Sequence, residues 1–469
     1  MIKYSKEDLS KLKNNILNKR ENILFKKDAS YKKKAFDFSE GYKGFLNKVK
    51  TEREIVNEVR FLALNNGFKD FNSEKIYSSG DRFFVTNKER NIFLVIVGEN
   101  GIKQGARIIV SHIDAPRIDL KPVPIYESGG LVYFKTQYYG GIKKYQWTSL
   151  PLALHGKIIK ENNEIVDIKE GEFDDDHCFC ITDLLPHLAQ EQMTKPMNKA
   201  IEGESLKLLI GSESLAPDIE DAAKLCIINL LNKKYGLHES DFVFSELQIV
   251  PALQAKDVGF DRSMIGSYAH DDRCCSFAGI QAFLDTKAVN KTSILALVDK
   301  EEVGSEGDTS SQSIFLLDFL NILCENEGLK FRDISRKTKC ISGDVEAAYD
   351  PIYPDKFDPD NSAYMNNGVA IVKYTGHRGK LEASDASVEF LSFIRKIFKE
   401  NDVYWQTGSL GKVDTGGGGT VAKYFSRLNM DVVDIGIPVL SMHSPFEVIS
   451  KLDLYELYRG FKAFIRSCD

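Results

Sequence analysis

No apolar run in this sequence approaches the roughly 20 residues that a membrane span needs, so no membrane partner is expected. Residues 1–10 are polar and charged and lack an apolar core, so no secretory signal is expected there. The chain also lacks an excess of one charge: the net charge is −6 over 469 residues, with both signs scattered along it. That pattern does not suit a nucleic-acid or anionic-membrane surface. The eight cysteines form no paired framework; Cys274 and Cys275 are adjacent, and one residue separates Cys178 from Cys180. Such usage is reduced and intracellular, so a cytoplasmic location is expected. There is no repeat of fixed period and no long low-complexity stretch. What remains is an ordinary globular composition on a chain long enough for roughly two to three domains.

The pattern of elements changes along the chain. Residues 5–67 read as helical, with apolar positions at helical spacing among many lysines. Strands are expected at 83–85, 92–97 and 106–110. From about 119, paired glycines (Gly129-Gly130, Gly140-Gly141) and alternating Leu131-Val132-Tyr133-Phe134 point to short antiparallel strands. Residues 204–210 and 241–251 read as strands, with an amphipathic helix over 218–235 between them. Strand and helix then alternate through 262–469, which implies a mixed, mainly parallel α/β sheet sandwiched by helices. The expected organisation is one domain from 1–118 and 262–469, interrupted by an inserted β-rich domain at 119–261.

Chemistry-bearing residues sit just beyond the expected strands. The run Leu295-Ala296-Leu297-Val298-Asp299 ends in adjacent carboxylates, Glu301 and Glu302, before Gly304. His112 and Asp114 follow the 106–110 strand, Asp344 follows 339–343, and His443 follows 431–439. Asp271 precedes a helix. Each alone has a plainer explanation: exposed carboxylates are common, and an isolated His-x-Asp is more often a hydrogen-bonded loop histidine. Together they differ, because an open α/β sheet gathers ligand-binding groups at the carboxyl ends of its strands. Two histidines and three carboxylates suit one or two divalent ions, zinc most naturally and manganese or cobalt otherwise. Five ligands exceed one tetrahedral ion with an open position, but fit two ions if one carboxylate bridges. A further carboxylate could then move a proton. Spacing does not assign these roles.

The motifs Ser111-His112-Ile113-Asp114-Ala115-Pro116, His270-Asp271-Asp272-Arg273, Glu301-Glu302-Val303-Gly304-Ser305, Gly343-Asp344 and Ser441-Met442-His443-Ser444 resemble the aspartyl aminopeptidase / aminopeptidase I family of co-catalytic dinuclear metallopeptidases. They occur in the family's order and cover nearly the whole chain. The resemblance implies a zinc-exopeptidase-like fold and two divalent metal ions per subunit. It implies that His112 and Asp344 bind one ion, that Glu302 and His443 bind the other, and that Asp271 bridges them. By the same resemblance Glu301 is the general base, Asp114 orients His112, and His187 of the inserted domain lies near the substrate pocket. Substrates would be peptides with a free N-terminus. The inserted domain would make dimer contacts within a homo-oligomer, a tetrahedral dodecamer.

One departure bears on specificity. Where the aspartyl branch carries His-Pro, this chain has Asp350-Pro351. That argues against an acidic substrate side chain, and the glycine run 416–419 resembles the aminopeptidase I branch. The choice between neutral or apolar and acidic N-terminal residues stays open. So do an amide deacylase or carboxypeptidase on the same scaffold and a non-catalytic assembly or cargo protein. The glycine run lacks the Lys-Ser/Thr ending of a phosphate loop and suits a tight turn ahead of a helix N-terminus near substrate. His177-Cys178-Phe179-Cys180 lacks a second cysteine pair, so a structural zinc is not expected. His155 reads as a satisfied strand histidine, and His238 and His377 as solvated loop residues. Cys274 is not expected to be a nucleophile. Lys373 and Arg378 lie near a strand end, where they are either surface groups or part of a specificity pocket.

Overall fold

The computed structural model describes residues 5–17, 20–172, 177–216 and 218–468. Its centre is the strand Thr292–Val298, in which every residue is buried. A continuous apolar run of this kind belongs inside a sheet covered on both faces. Nine strands line up around it in the order Lys69–Asp70, Arg82–Asn87, Asn91–Ile96, Thr292–Val298, Ala106–His112, Lys339–Ser342, Asp431–Gly436, Val369–Val372 and Trp405–Thr407. The middle four run parallel. Antiparallel pairing is confined to Arg82–Asn87 with Asn91–Ile96, that strand with Thr292–Val298, and Val369–Val372 with Asp431–Gly436.

Period-two alternation sends neighbouring residues to two cores. Ile109, Leu295, Leu297 and Ile341 pack under the helices Glu52–Asn65, His270–Leu284, Val388–Glu400 and Lys451–Ile465. Ile108, Val110, Ile294 and Cys340 pack on the other face against Phe315–Glu325 and Ala422–Ser426. Register sets the functional edge: Val298 lies beside His112, and Ser342 beside both Val110 and Asp434, so these strands finish together.

A separate seven-stranded sheet, antiparallel throughout, is built from strands between Arg117 and Pro251 and carries its own apolar core. A five-stranded sheet lies beside the site; it includes Met264–Ser267, Glu447–Ser450 and Pro438–Leu440. No helix among the described residues is long and apolar enough to cross a membrane.

Several local expectations need correction. The helical stretch 5–67 is three helices, Lys6–Ile16, Ala29–Lys48 and Glu52–Asn65. The breaks fall where Asp28 caps the second helix and where Thr51 and Glu54 form a capping box on the third. The 218–235 helix begins at Ala222, after Asp221 in a left-handed conformation. The first half of 241–251 is a 3-10 turn, Glu239–Phe244, ahead of the strand Ser245–Pro251. Strand 204–210 shortens to Leu208–Gly211.

Buried charges join the seven-stranded sheet to the main one. Glu52 accepts hydrogen bonds from Arg117 at 2.7 Å, Gln248 at 2.7 Å and Arg90 at 3.3 Å. Burial works against its charge, but Arg117 and Arg90 outweigh burial and hold the carboxyl at about 2. His155 is hydrogen-bonded on one side only: Nδ1 lies 3.0 Å from Glu54, while Nε2 faces Glu172 at 3.2 Å without hydrogen-bond geometry. Removing one partner of such a pair leaves a buried charge uncompensated. Glu52→Leu is therefore expected to lower the unfolding free energy in urea by about 3–5 kcal/mol. A loss below about 1 kcal/mol would show that the joint is dispensable.

Candidate active site

His112 is the last residue of its strand and is buried. Its Nδ1 lies 3.0 Å from the Asp114 carbonyl oxygen. A carbonyl only accepts, so Nδ1 carries the proton and Nε2 faces Asp271 Oδ1 at 3.1 Å. His443 mirrors this arrangement. Its Nδ1 donates to the Gly141 carbonyl at 3.0 Å, and its Nε2 faces Asp271 Oδ2 at 3.1 Å and Glu302 Oε2 at 3.5 Å. One carboxylate thus stands between two imidazoles whose outer nitrogens are both held by carbonyls. The peptide bond that follows it, Asp271–Asp272, is cis.

Two other buried carboxylates clamp the backbone of these residues. Asp114 accepts the Glu301 N–H at 3.0 Å on one oxygen and the Glu302 N–H at 3.1 Å on the other. The Tyr139 hydroxyl also donates to Asp114, at 2.8 Å. Glu447 accepts the Asp271 N–H at 3.0 Å and the His443 N–H at 2.6 Å. Glu447, Tyr139 and the Gly141 carbonyl were not singled out from sequence. Glu447 left one slight signal, a carboxylate opening the short strand Glu447–Ser450. Tyr139 and a backbone carbonyl left none.

Asp271, Glu301, Asp344 and His443 line one cavity of about 330 Å³. The glycine run 416–419 forms part of its wall and does precede a helix, Ala422–Ser426, but it is a short ribbon rather than a tight turn. Gly417–Gly418 pairs with Gly376–His377, and a Cβ on Gly417 would stand 2.5 Å from the Gly376 carbonyl oxygen. That ribbon also takes His377 out of the expected loop. Arg378 lines the cavity, whereas Lys373 and Asp350 are not among its lining residues. Asp350 instead accepts the Ile352 N–H in its own turn, at 2.9 Å.

His187 does not join the other candidates. It is exposed in a turn of the seven-stranded unit and does not line this cavity. No metal-ligand group among the described residues contains His177, Cys178 or Cys180. Burial pushes the Cys274 and Cys275 thiols up, against thiolate chemistry.

The electrostatics favour cations. Burial pushes the Glu301 carboxyl up to about 7 and raises Glu302 and Asp344 well above the usual range, with neighbouring carboxylates adding to the effect. Burial opposes protonation of His443, but Asp271 and Glu302 outweigh it and lift the ring to about 10. Glu302 Oε1 is buried without a hydrogen-bond partner, an exceptional state for a buried carboxylate oxygen. Single donor atoms of His112, Asp271 and Glu302 lie within 4.8 Å of one another. A mixed N/O donor set suits zinc, and the carbonyl-held Nδ1 groups are the usual outer support of zinc-binding imidazoles. The residues present therefore fit divalent metal.

Known proteins agree with this chemistry. The family model described as aminopeptidase I zinc metalloprotease (M18) matches residues 45–465. A probable M18 family aminopeptidase 1 from Borrelia garinii is 43% identical over 456 residues, covering 96% of this chain and 100% of the relative. The crystal structure of an M18-family aminopeptidase from Thermotoga maritima superposes with a TM-score of 0.91 at 37% identity, covering 96% of this chain and 100% of that one. The dodecamer of mApe1 from S. cerevisiae shares the fold at a TM-score of 0.74 and 20% identity, covering 93% of this chain and 97% of that one. A strand-end cluster fitted to zinc and a family match over most of the sequence lead to one conclusion: the chain belongs to the aminopeptidase I (M18) family of zinc metalloproteases and is a metal-dependent aminopeptidase.

Proposed function

We propose that His112 and Asp344 hold one divalent ion, that Glu302 and His443 hold the second, and that Asp271 serves both. The observation that carries this is the Asp271 carboxylate, with one oxygen 3.1 Å from each histidine Nε2. Bound there, the ions supply Lewis acidity toward a scissile carbonyl and lower the pKa of water. Glu301 does the proton work from the cavity wall. Its carboxyl lines the cavity together with Asp271, Asp344 and His443, within reach of a water there, from which it would take a proton and return it to the departing amine. Asp114 orients His112 through the backbone carbonyl it presents to that ring, and fixes the Glu301–Glu302 turn through its carboxylate.

The unit at 119–261 exposes Leu184, Leu185, Leu188, Met193 and Met197 around His187. This supports a homo-oligomeric contact there, in a dodecamer with tetrahedral symmetry like the family's. His187 would then meet substrate in a neighbouring subunit's cavity. All eight cysteines are free thiols, which supports a cytoplasmic location.

The primary test is hydrolysis of Asp-, Glu-, Leu-, Met-, Lys- and Ala-arylamides by chelator-stripped protein resupplied with zinc, manganese or cobalt. Metal-dependent release that N-acetylation abolishes is expected. Equal release from acetylated substrates would point to a deacylase instead. The preferred side chain will show whether Arg378 or the apolar Leu410 and Val413 dominate the pocket. Glu301→Gln should keep its full metal content while kcat falls about 10²–10⁴-fold. Turnover near the wild-type rate would remove Glu301 from the proton-transfer role. Leu188→Asp should reduce the particle mass in light scattering, and an unchanged mass would move the contact elsewhere.

A further inference from the structure

Tyr139 ends the strand Leu131–Tyr139 of the seven-stranded sheet and Gly140 and Gly141 follow it directly, apart in sequence from every candidate metal ligand. They nevertheless reach both halves of the centre. The Tyr139 hydroxyl donates to Asp114 Oδ2 at 2.8 Å, on the carboxylate that holds the Glu301 and Glu302 amides. Two residues later the Gly141 carbonyl accepts from His443 Nδ1 at 3.0 Å, which turns the ring's other nitrogen toward Asp271. The two glycines lie against the candidate ligands, and Gly140 has a backbone conformation that side chains rarely adopt. A Cβ on Gly140, at φ +75°, would stand 3.4 Å from Glu302 Cβ, and one on Gly141 would stand 3.4 Å from His443 Nδ1. The Tyr139 ring is itself held, with the Arg117 guanidinium 3.8 Å from its centroid.

We propose that the Tyr139-Gly140-Gly141 segment is a positioning strap for the metal centre: the Tyr139 hydroxyl sets Asp114, and the Gly141 carbonyl sets the His443 ring. The inference rests on the ligand assignment proposed above. It gives the inserted sheet a role within its own subunit's active site. Distortion of that sheet is then felt as a change in metal affinity.

Y139F removes only the hydroxyl and keeps the ring on Arg117. The adjacent Tyr138 is exposed, so Y138F serves as the control. Zinc affinity of the full chain is measured by chelator competition, the visible spectrum of the cobalt-loaded form is recorded, and kcat and KM are determined at saturating zinc. Y139F is expected to bind zinc about 10–100-fold more weakly, the usual cost of losing an outer-shell partner. Its cobalt bands should shift, and kcat should fall with KM little changed. G140A should move the same readouts, while Y138F should move none. Wild-type affinity and spectrum in both Y139F and G140A, with metal lost in H112A and H443A, would overturn the strap and leave the ligand assignment standing. Metal retained in H112A and H443A would overturn both. Should Y139F fail to fold, G140A, which strains the segment at φ +75°, decides by the same readouts.

Discussion

Asp271 presents one carboxylate oxygen to each of two histidines, and much of the surrounding structure serves to keep it there. A carboxylate flanked at this distance needs both imidazoles aimed inward. Two carbonyls do the aiming, one from Asp114 and one from Gly141. It also needs its own backbone fixed, and Glu447 holds the Asp271 and His443 amides together. Register does the rest. Parallel strands that end level bring residues from 112, 302 and 344 to one edge although the sequence separates them widely.

These clamps are costly in a bare protein. Buried carboxylates close together repel and lose hydration, which is why Glu301, Glu302, Asp344 and Glu447 all bind protons more tightly than usual. Divalent cations reverse the sign of that field. Bound cations would relieve that repulsion, so metal affinity and local order should rise together. The ion-pair joint around Glu52 behaves differently. Arg117 and Arg90 already neutralise its charge, so it acts as a permanent fastener between the two sheets.

The strand-end groups were legible because short continuous apolar runs reveal where buried strands stop, and His112, Glu302 and Asp344 follow such stops. The fold class was legible for the same reason, since strand and helix alternate visibly from residue 262 onward. The breaks in the first helical stretch were written in the sequence as Asp28 and Thr51-x-x-Glu54, but continuous lysine-rich periodicity hid them. The helix after the glycine run was legible but the ribbon was not, because glycines permit both a tight turn and a ribbon; the close approach of Gly417 to the Gly376 carbonyl separates the two. Tyr139 was not legible, because an aromatic residue in an alternating strand is ordinary. The Gly141 carbonyl carries no side-chain signal at all. The chain's supports for its reactive groups are largely backbone atoms and buried carboxylates, and spacing does not encode those.

The most direct measurement is the anomalous diffraction of zinc-loaded crystals, collected on both sides of the zinc absorption edge. Two anomalous peaks are expected to flank the Asp271 carboxylate, one on the His112 side and one on the His443 side. Peaks that avoid Asp271, such as a single ion at the Asp272, Cys274 and Cys275 cluster, would contradict it.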